Sequence, residues 1–363
     1  MYGNMGYKIE EIDKNFIVNT NVNKDDIVFL NAKDEPFKVY GAYEPFVRLP
    51  KEIAENTNRG VSDLYKNTAG IRVRFSTNSP YVAIAAKVPF ITKSTHFSRT
   101  GLAGFDIYEY NCGEYKYLRT FEPSLDEEHR INGVCELGDE GMHSLVINFP
   151  LYNNVDEFFI GIKTGSDLTS GDNYKIEKPI VYYGSSITQG GCASRPGVAY
   201  ESIISRRFDA DFINLGFSGN ALGEQIIAEY ISKLDMSVFV LDYDYNAPNY
   251  KYLKSTHYNF YKTVRDKNPW LPIIMISMPF FKWIKDQKER RDVIFKTYNK
   301  AVTDGDKNVY FIDGSTIPGI FGGDNGTVDG CHPNDLGFMC MAEKIGEVIN
   351  KALSGSNQNS QVI

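Results

Sequence analysis

Alternation of apolar and polar positions dominates the chain from about residue 26 to residue 165. In IRVRFSTNSPYVAIAAKV, Ile71, Val73 and Phe75 fall on one face of a strand, with arginines on the other. The turn sequence NSP follows, so this segment predicts a β-hairpin, and GFDIYEYNCGEYKYLRTF predicts a second one. Many short strands with few helical stretches indicate a β-sandwich or jelly-roll-like domain.

After residue 175 the pattern changes to short apolar runs separated by longer amphipathic stretches. The runs are IVYYG, DFINLG, VFVLDYD, PIIMISMP and VYFIDG. Near-continuous apolar strands suit a parallel sheet covered by helices on both faces. The pattern therefore predicts an α/β fold with a doubly wound, flavodoxin-like, five-stranded parallel sheet. Helices are expected at roughly 197–208, 222–234, 250–268, 284–303 and 334–352.

The two patterns meet in a polar segment, TGSDLTSGDNYKIE, at residues 164–177. A chain of 363 residues is long enough for two domains. We therefore predict a β-sandwich-like N-terminal domain at residues 1–175 and an α/β domain at residues 176–353. The last segment, 354–363, has few apolar side chains and is expected to be a disordered tail.

Charge and composition exclude several classes of partner. A formal net charge of −7 argues against nucleic-acid binding, which requires a concentrated basic surface. The N-terminal residues do not read as a signal peptide and no apolar stretch is long enough for a membrane helix, so a cytoplasmic location without a membrane partner is expected. Five cysteines without paired CxxC spacing suggest reduced thiols.

The first apolar run leads directly into GSSITQGG, residues 184–191. Glycines on both sides of Ser186 allow a sharp turn and bring backbone N–H groups close to a reacting atom. A serine nucleophile needs this arrangement. Taken alone, however, such a turn also suits phosphate binding or a plain connection between a strand and a helix.

The segment after the last predicted strand supplies a base for the serine. Asp329 and His332 lie three residues apart in DGCHPN, and a DxxH loop lets the carboxylate accept the imidazole Nδ1–H while Nε2 faces the nucleophile. The second and third strands end in NLGFSGN and DYDYNAPN. Gly219 and Asn246, with Asn249 as the other choice, are neutral donors suited to an oxyanion.

These four segments, in this order over roughly 178–352, resemble the SGNH or GDSL-type hydrolase superfamily. The resemblance implies that Ser186 is the nucleophile, and that its N–H, the Gly219 N–H and the Asn246 amide form the oxyanion hole. It also implies that Asp329 and His332 complete a catalytic triad. Two segments depart from the family pattern: a serine replaces the usual Asp before Ser186, and the third block reads DYDYN.

The N-terminal half resembles the module named for its GxDLY signature, which precedes SGNH domains. The resemblance is carried by FVRLPKEI, AGIRVRF, GFDIY and INFPLYNNV, with Ile107 replacing the signature leucine. Together the two resemblances imply a serine ester hydrolase. By analogy with carbohydrate esterases of the superfamily, small acyl groups such as acetyl on a small-molecule or oligosaccharide ester are the expected substrate.

Two other functions remain open: a carbohydrate-binding protein on an inactive hydrolase scaffold, and an acyltransferase with the same triad. The mechanism needs no metal or organic cofactor, and the oligomeric state, including a homo-oligomer, is left open. A thiol nucleophile at Cys192 or Cys331 is disfavoured, and Asp242 and Asp244 suit loop support better than glycoside cleavage. The remaining histidines are interpreted as structural or solvated: His96, His129, His143 and His257.

Overall fold

The computed structural model describes most of the chain. The described residues are 22–111, 113–126, 129–138, 141–279, 285–317 and 323–355. The predicted tail falls outside them beyond Gly355, and Cys112 and Trp283 also lie outside.

The N-terminal half forms two antiparallel sheets. One sheet has the strand order β1-β9-β4-β7, and the other has the order β10-β3-β8-β5-β6, with β2 paired to β3. Apolar side chains of both sheets meet in one buried cluster, as expected for a sandwich. The strands are β1 Ile27–Asn31, β2 Lys38–Tyr40, β3 Arg72–Thr77, β4 Tyr81–Lys87, β5 Phe105–Asn111, β6 Glu114–Phe121, β7 Arg130–Glu136, β8 His143–Asn148, β9 Glu157–Lys163 and β10 Leu168–Thr169. Short helices lie at Lys51–Thr57, Arg59–Leu64 and Arg99–Leu102.

The predicted hairpin at β3 and β4 is wrong, whereas the one at β5 and β6 is confirmed. Strand β3 pairs with β8, and β4 pairs with β7 and β9, so the chain crosses between sheets at the NSP turn. Alternation identifies the buried face of a strand but not its partner. The polar face is also buried, because Arg72 pairs with Asp211 and Arg74 with Asp209 of the other half.

The C-terminal half contains the predicted parallel sheet. All five apolar runs form its strands, in the order β12-β11-β13-β14-β15. The predicted doubly wound, flavodoxin-like topology is therefore confirmed. The strands are β11 Ile176–Gly184, β12 Ala210–Gly216, β13 Val238–Asp242, β14 Ile273–Ile276 and β15 Val309–Ile312.

Helices follow the strands close to the predicted positions. Asn249 caps one of them by accepting from Tyr252 N at 3.0 Å, and Asn334 caps another by accepting from Gly337 N at 3.1 Å. The helices are Ser186–Gln189, Tyr200–Phe208, Gln225–Ile231, Tyr250–Lys267, Gln287–Thr303 and Asp335–Leu353. No helix in the described part of the chain has the length and apolar character needed to span a bilayer.

A buried arginine joins the two halves beside the end of β12. The Arg48 guanidinium donates to Asn214 O at 3.1 Å and to Gly216 O at 2.8 Å. It also donates to Asn67 O and Leu64 O in its own half. Burial lowers the pKa of Arg48 to about 9. The contact ties the N-terminal half to the strand that leads into the loop around Gly219.

Candidate active site

Ser186 begins a short helix directly after strand β11. The Ser185 side chain caps this helix by accepting from Ile187 N at 3.2 Å, so serine can perform a capping role in place of the usual Asp. Gly190 ends the helix in the left-handed conformation, with φ of +97°. A Cβ on Gly184 would lie 2.1 Å from Thr188 Oγ1, which explains the glycine before the turn. Ser186 is 9% exposed.

Ser186, His332 and Asp329 form one chain of hydrogen bonds. The Ser186 Oγ lies 2.9 Å from His332 Nε2, and His332 Nδ1 lies 2.8 Å from Asp329 Oδ2. The loop between Thr327 and Pro333 is closed by a β-bridge and by a bond from Val328 N to His332 O of 2.9 Å. The structure therefore brings the three residues of the predicted triad together, in the geometry of a general-base pair oriented by a carboxylate.

The Asp329 carboxylate is held in its ionised form. Its Oδ1 accepts the backbone N–H groups of His332 at 2.7 Å and Cys331 at 3.0 Å. Partial burial raises the pKa of Asp329, but these bonds and the His332 side chain outweigh burial and lower it to about 2. A carboxylate with this pKa stays charged at neutral pH and can stabilise an imidazolium beside it.

The predicted oxyanion donors lie on neighbouring loops. Gly219 has a left-handed backbone with φ of +71°, and an added Cβ would meet no heavy atom within 4 Å. The Asn246 amide donates to Phe217 O at 2.9 Å, two residues before Gly219. The second N–H of that amide has no acceptor among the residues that the structure describes, and it can donate to a ligand. Asn249 instead caps the helix Tyr250–Lys267, so the geometry favours Asn246 over Asn249 as the donor.

The β-sandwich contributes to the wall of the site. The Phe97 ring meets the His332 ring edge-on with centroids 5.5 Å apart, and it packs on Tyr152 at 5.1 Å. The Tyr152 hydroxyl donates to Ser186 O at 3.0 Å. His96 Nε2 lies 3.8 Å from Asp329 Oδ2, although its sequence context suggested no place in the site. Periodicity predicts none of these positions, because the three residues lie far from the catalytic motifs in the chain.

Gln189 links three parts of the site. Its Oε1 accepts from Ser218 N at 2.9 Å, next to Gly219. Its Nε2 donates to Asn67 Oδ1 and Leu151 O, both at 3.1 Å, in the N-terminal half. Gln189 is fully buried, so these bonds fix the Ser186 turn relative to the loop around Gly219 and to the sandwich.

The thiols and the carboxylate that the sequence offered as alternatives to the serine chemistry lie in environments that suit other roles. Burial, followed by the charge of Asp329, raises the pKa of Cys192 to about 12 and that of Cys331 to about 11, which suits neutral thiols. Asp244 pairs with Arg290 Nη1 at 3.1 Å and accepts from Met278 N at 2.9 Å. Its role is therefore loop support, as the sequence suggested.

The other histidines differ in environment. His143 Nδ1 lies 2.6 Å from Glu109 Oε1 in the sandwich. His257 is fully buried, and burial lowers its pKa to about 3. His129 is exposed. These placements fit the structural or solvated interpretation, and of these four histidines only His96 lies beside the predicted triad.

Comparisons with known proteins agree with this architecture. A model of the GDSL-like lipase/acylhydrolase family matches residues 177–350, and a model of the GxDLY N-terminus of SGNH hydrolase-type esterases matches residues 27–168. A Bacteroides ovatus crystal structure described as a GDSL-like lipase is 30% identical, with a TM-score of 0.82 over 90% of this chain and 98% of its own. The chain therefore belongs to the GDSL-like lipase/acylhydrolase family. A search of curated protein sequences finds no match.

More distant structures share the fold. A salicylyl-acyltransferase from a tetracycline biosynthetic pathway is 20% identical, with a TM-score of 0.75 over 93% of this chain and 100% of its own. A family two carbohydrate esterase from Clostridium thermocellum, in complex with cellohexaose, is 18% identical. Its TM-score is 0.58 over 79% of this chain and 94% of its own.

Proposed function

We propose that the protein is a serine ester hydrolase that removes small acyl groups, such as acetyl, from carbohydrate esters. The observation that carries the proposal is the continuous contact from Ser186 Oγ through His332 to Asp329, with distances of 2.9 and 2.8 Å. A serine hydroxyl is a weak nucleophile unless a base accepts its proton, and this contact supplies the base.

In the proposed reaction, His332 Nε2 accepts the Ser186 proton as the Oγ attacks the ester carbonyl. The backbone N–H of Ser186, at the start of its helix, has no acceptor within that helix. In this reaction it binds the oxyanion together with the Gly219 N–H and the Asn246 amide. His332 then donates its proton to the departing alcohol, which leaves an acyl-serine. Water attacks this intermediate with His332 again as the base, while Asp329 stays ionised.

The carbohydrate part of the proposal rests on two supports. Family two carbohydrate esterases share the fold, and one of them is described in complex with cellohexaose. In addition, the sandwich places Phe97 and His96 beside the triad, so the wall of the site contains an aromatic ring and a polar group. Aromatic faces with polar neighbours suit sugar rings, which have apolar and hydroxyl surfaces.

The first test measures hydrolysis of p-nitrophenyl acetate, butyrate and octanoate, with labelling by a fluorophosphonate as a substrate-independent probe of the serine. The wild-type protein should hydrolyse acetate fastest and should be labelled. Ser186→Ala should lose at least about 10⁴-fold in kcat and all labelling. Ser255→Ala removes an exposed hydroxyl on the helix Tyr250–Lys267 and should retain both.

The second test measures acetate release from acetylated oligosaccharides. Release that requires Ser186 would support the carbohydrate assignment. Unchanged hydrolysis by Ser186→Ala would overturn the serine mechanism. Binding of these oligosaccharides with no turnover and no labelling would instead favour a carbohydrate-binding protein on a hydrolase scaffold.

Acyl transfer is a second candidate, favoured by the likeness to the salicylyl-acyltransferase. The same acyl-serine would react with an alcohol acceptor instead of water. Product analysis with and without a sugar acceptor separates the two reactions: hydrolysis gives free acid in both cases, whereas transfer gives a new ester when the acceptor is present.

A further inference from the structure

We propose that His96, Cys192 and His332 form a binding site for Zn²⁺, a divalent cation of borderline softness, and that its binding inhibits the enzyme. The inhibitory part rests on the proposed triad, whereas the binding part rests on geometry alone. One ligand atom from each residue lies within 4.8 Å of the other two. The three residues come from three segments: a loop of the sandwich, the loop after the Ser186 turn, and the loop after strand β15.

The ligand atoms are close to a metal-binding arrangement. Bonds of about 2.0–2.3 Å to nitrogen and sulfur require ligand atoms roughly 3.3–3.8 Å apart in a tetrahedral site. His96 is the residue best able to close the remaining gap, because its side chain is 42% exposed. Its ring centroid lies 5.8 Å from that of His332. Cys192 is buried in a left-handed backbone conformation, with φ of +71°, and its thiol donates to His96 O at 3.7 Å.

The donor set selects the type of cation. Two imidazoles and one thiolate bind Zn²⁺ in preference to Mg²⁺ and Ca²⁺, because the latter two cations take oxygen ligands. Asp329 Oδ2, 3.8 Å from His96 Nε2, or a water molecule is available as the fourth ligand. Coordination converts the Cys192 thiol to a thiolate and releases its proton to solvent.

Cation binding is incompatible with the intact triad. His332 has two ring nitrogens, and both are engaged: Nε2 faces Ser186 Oγ and Nδ1 faces Asp329 Oδ2. A metal on Nε2 removes the base from the nucleophile, and a metal on Nδ1 separates the base from its carboxylate. Either coordination mode therefore predicts reversible loss of serine reactivity.

Binding is tested by titration calorimetry with Zn²⁺ alone and by the absorption spectrum with Co²⁺. The wild-type protein and Ser186→Ala should each bind one ion, and Co²⁺ should produce a thiolate charge-transfer band. His96→Gln and Cys192→Ala should bind at least about tenfold more weakly, and Cys192→Ala should lose the band. The matched controls His129→Gln, at an exposed position, and Cys340→Ala should bind like wild type.

Inhibition is tested by the rates of ester hydrolysis and fluorophosphonate labelling, each normalised to the metal-free rate of the same variant. Zn²⁺ should slow both rates in wild type at the concentration at which it binds, and a chelator should restore them. In His96→Gln the inhibiting concentration should rise by at least about tenfold.

Three results would overturn the inference: no binding, equal binding by wild type and both ligand variants, or binding with unchanged labelling. An inactive, unlabelled metal-free enzyme would be a different failure. That result overturns the proposed function and the inhibitory role, while the Co²⁺ band still tests the cation site itself.

Discussion

The Asp106 carboxylate, on strand β5 of the sandwich, accepts a hydrogen bond from Arg195 Nη1 at 2.9 Å. Asp106 is fully buried and also accepts from Gly197 N and Asn148 Nδ2, each at 2.8 Å. Asp106 is the acidic residue of GFDIY, and Arg195 and Gly197 lie in the loop that follows the Ser186 turn. Asp106, the acidic residue of the N-terminal signature, therefore holds a loop of the C-terminal half.

The same loop contacts the segment that contains His332. Ser194 N donates to Asp335 Oδ1 at 2.9 Å, and Asp335 is the first residue of the helix that follows His332. On its other side, the loop contacts the sandwich through Thr100 Oγ1, which donates to Ser194 O. The sandwich thus supports the loop that follows the Ser186 turn and, through it, the segment that contains His332.

Replacing Asp106 with alanine should lower the free energy of unfolding by about 2–4 kcal/mol, because it leaves Arg195 and the Gly197 N–H without their buried acceptor. Urea unfolding measures this loss. Asp63→Ala is the matched control, because Asp63 forms an exposed ion pair with Arg59 at 3.9 Å, worth about 0–1 kcal/mol. Equal unfolding midpoints for the two variants would contradict the proposed support.

The parallel sheet could be predicted because its strands are buried on both faces and are therefore apolar throughout. VFVLD, for example, has five buried residues in succession. Ligands of such sheets bind at the carboxyl ends of the strands, so Ser186, Gly219 and Asn246 could be grouped in advance. The partners of strands β3 and β4 could not be predicted, because the alternation of their residues is compatible with one sheet or with two.

The residues that the sandwich contributes to the site could not be predicted from the sequence either. Phe97 and Tyr152 look like ordinary aromatic residues in loops, and their contacts with His332 and Ser186 depend on how two domains pack. Alternation places Arg72 on the polar face of its strand and does not tell what covers this residue. It is buried because Asp211 and the Phe212 ring of the other half cover it.

Asn246→Ala and Asn249→Ala should affect different properties: the first the catalytic rate, the second the stability of the fold. Loss of an oxyanion donor costs about 10²–10³ in kcat, so Asn246→Ala should reduce kcat by that factor with little change in stability. Asn249→Ala removes a helix cap and should lower the free energy of unfolding by about 1 kcal/mol while kcat is retained. Steady-state kinetics and urea unfolding of both variants check this assignment. A larger loss of kcat in Asn249→Ala would reverse it.

Tyr152→Phe should reduce kcat about fivefold, because it removes a bond of 3.0 Å to Ser186 O, worth about 1 kcal/mol, that holds the turn of the proposed nucleophile. The ring that packs on Phe97 remains, so KM should change little. Tyr81→Phe removes a comparable hydroxyl contact, of 2.7 Å to Asp26, at a position away from the site. Similar kcat values for the two variants would exclude a positioning role for Tyr152.

Glu201 lies fully buried in the helix Tyr200–Phe208. Burial raises its pKa well above the usual range, and the nearby Asp242 carboxyl acts in the same direction. The neighbouring phenols Tyr182 and Tyr200 have raised pKa values themselves and stay neutral. The folded protein therefore favours the protonated form of Glu201, and any stabilisation from this form depends on pH.

The pKa of Glu201 in the folded protein lies above the unfolded value of about 4.3. The stability that its protonated form contributes is therefore fully present below a pH of about 4.3 and is lost as the pH rises through the folded pKa. Glu201→Gln does not titrate, so the stability of this variant relative to wild type should increase from pH 4 to pH 8, by up to about 1.4 kcal/mol per pH unit. A difference in packing between this amide and the Glu201 carboxyl group adds the same free energy at every pH, so the pH dependence of the stability difference does not change. Urea unfolding across the pH range measures this slope. A stability difference that does not change with pH would mean that Glu201 is ionised in the folded protein.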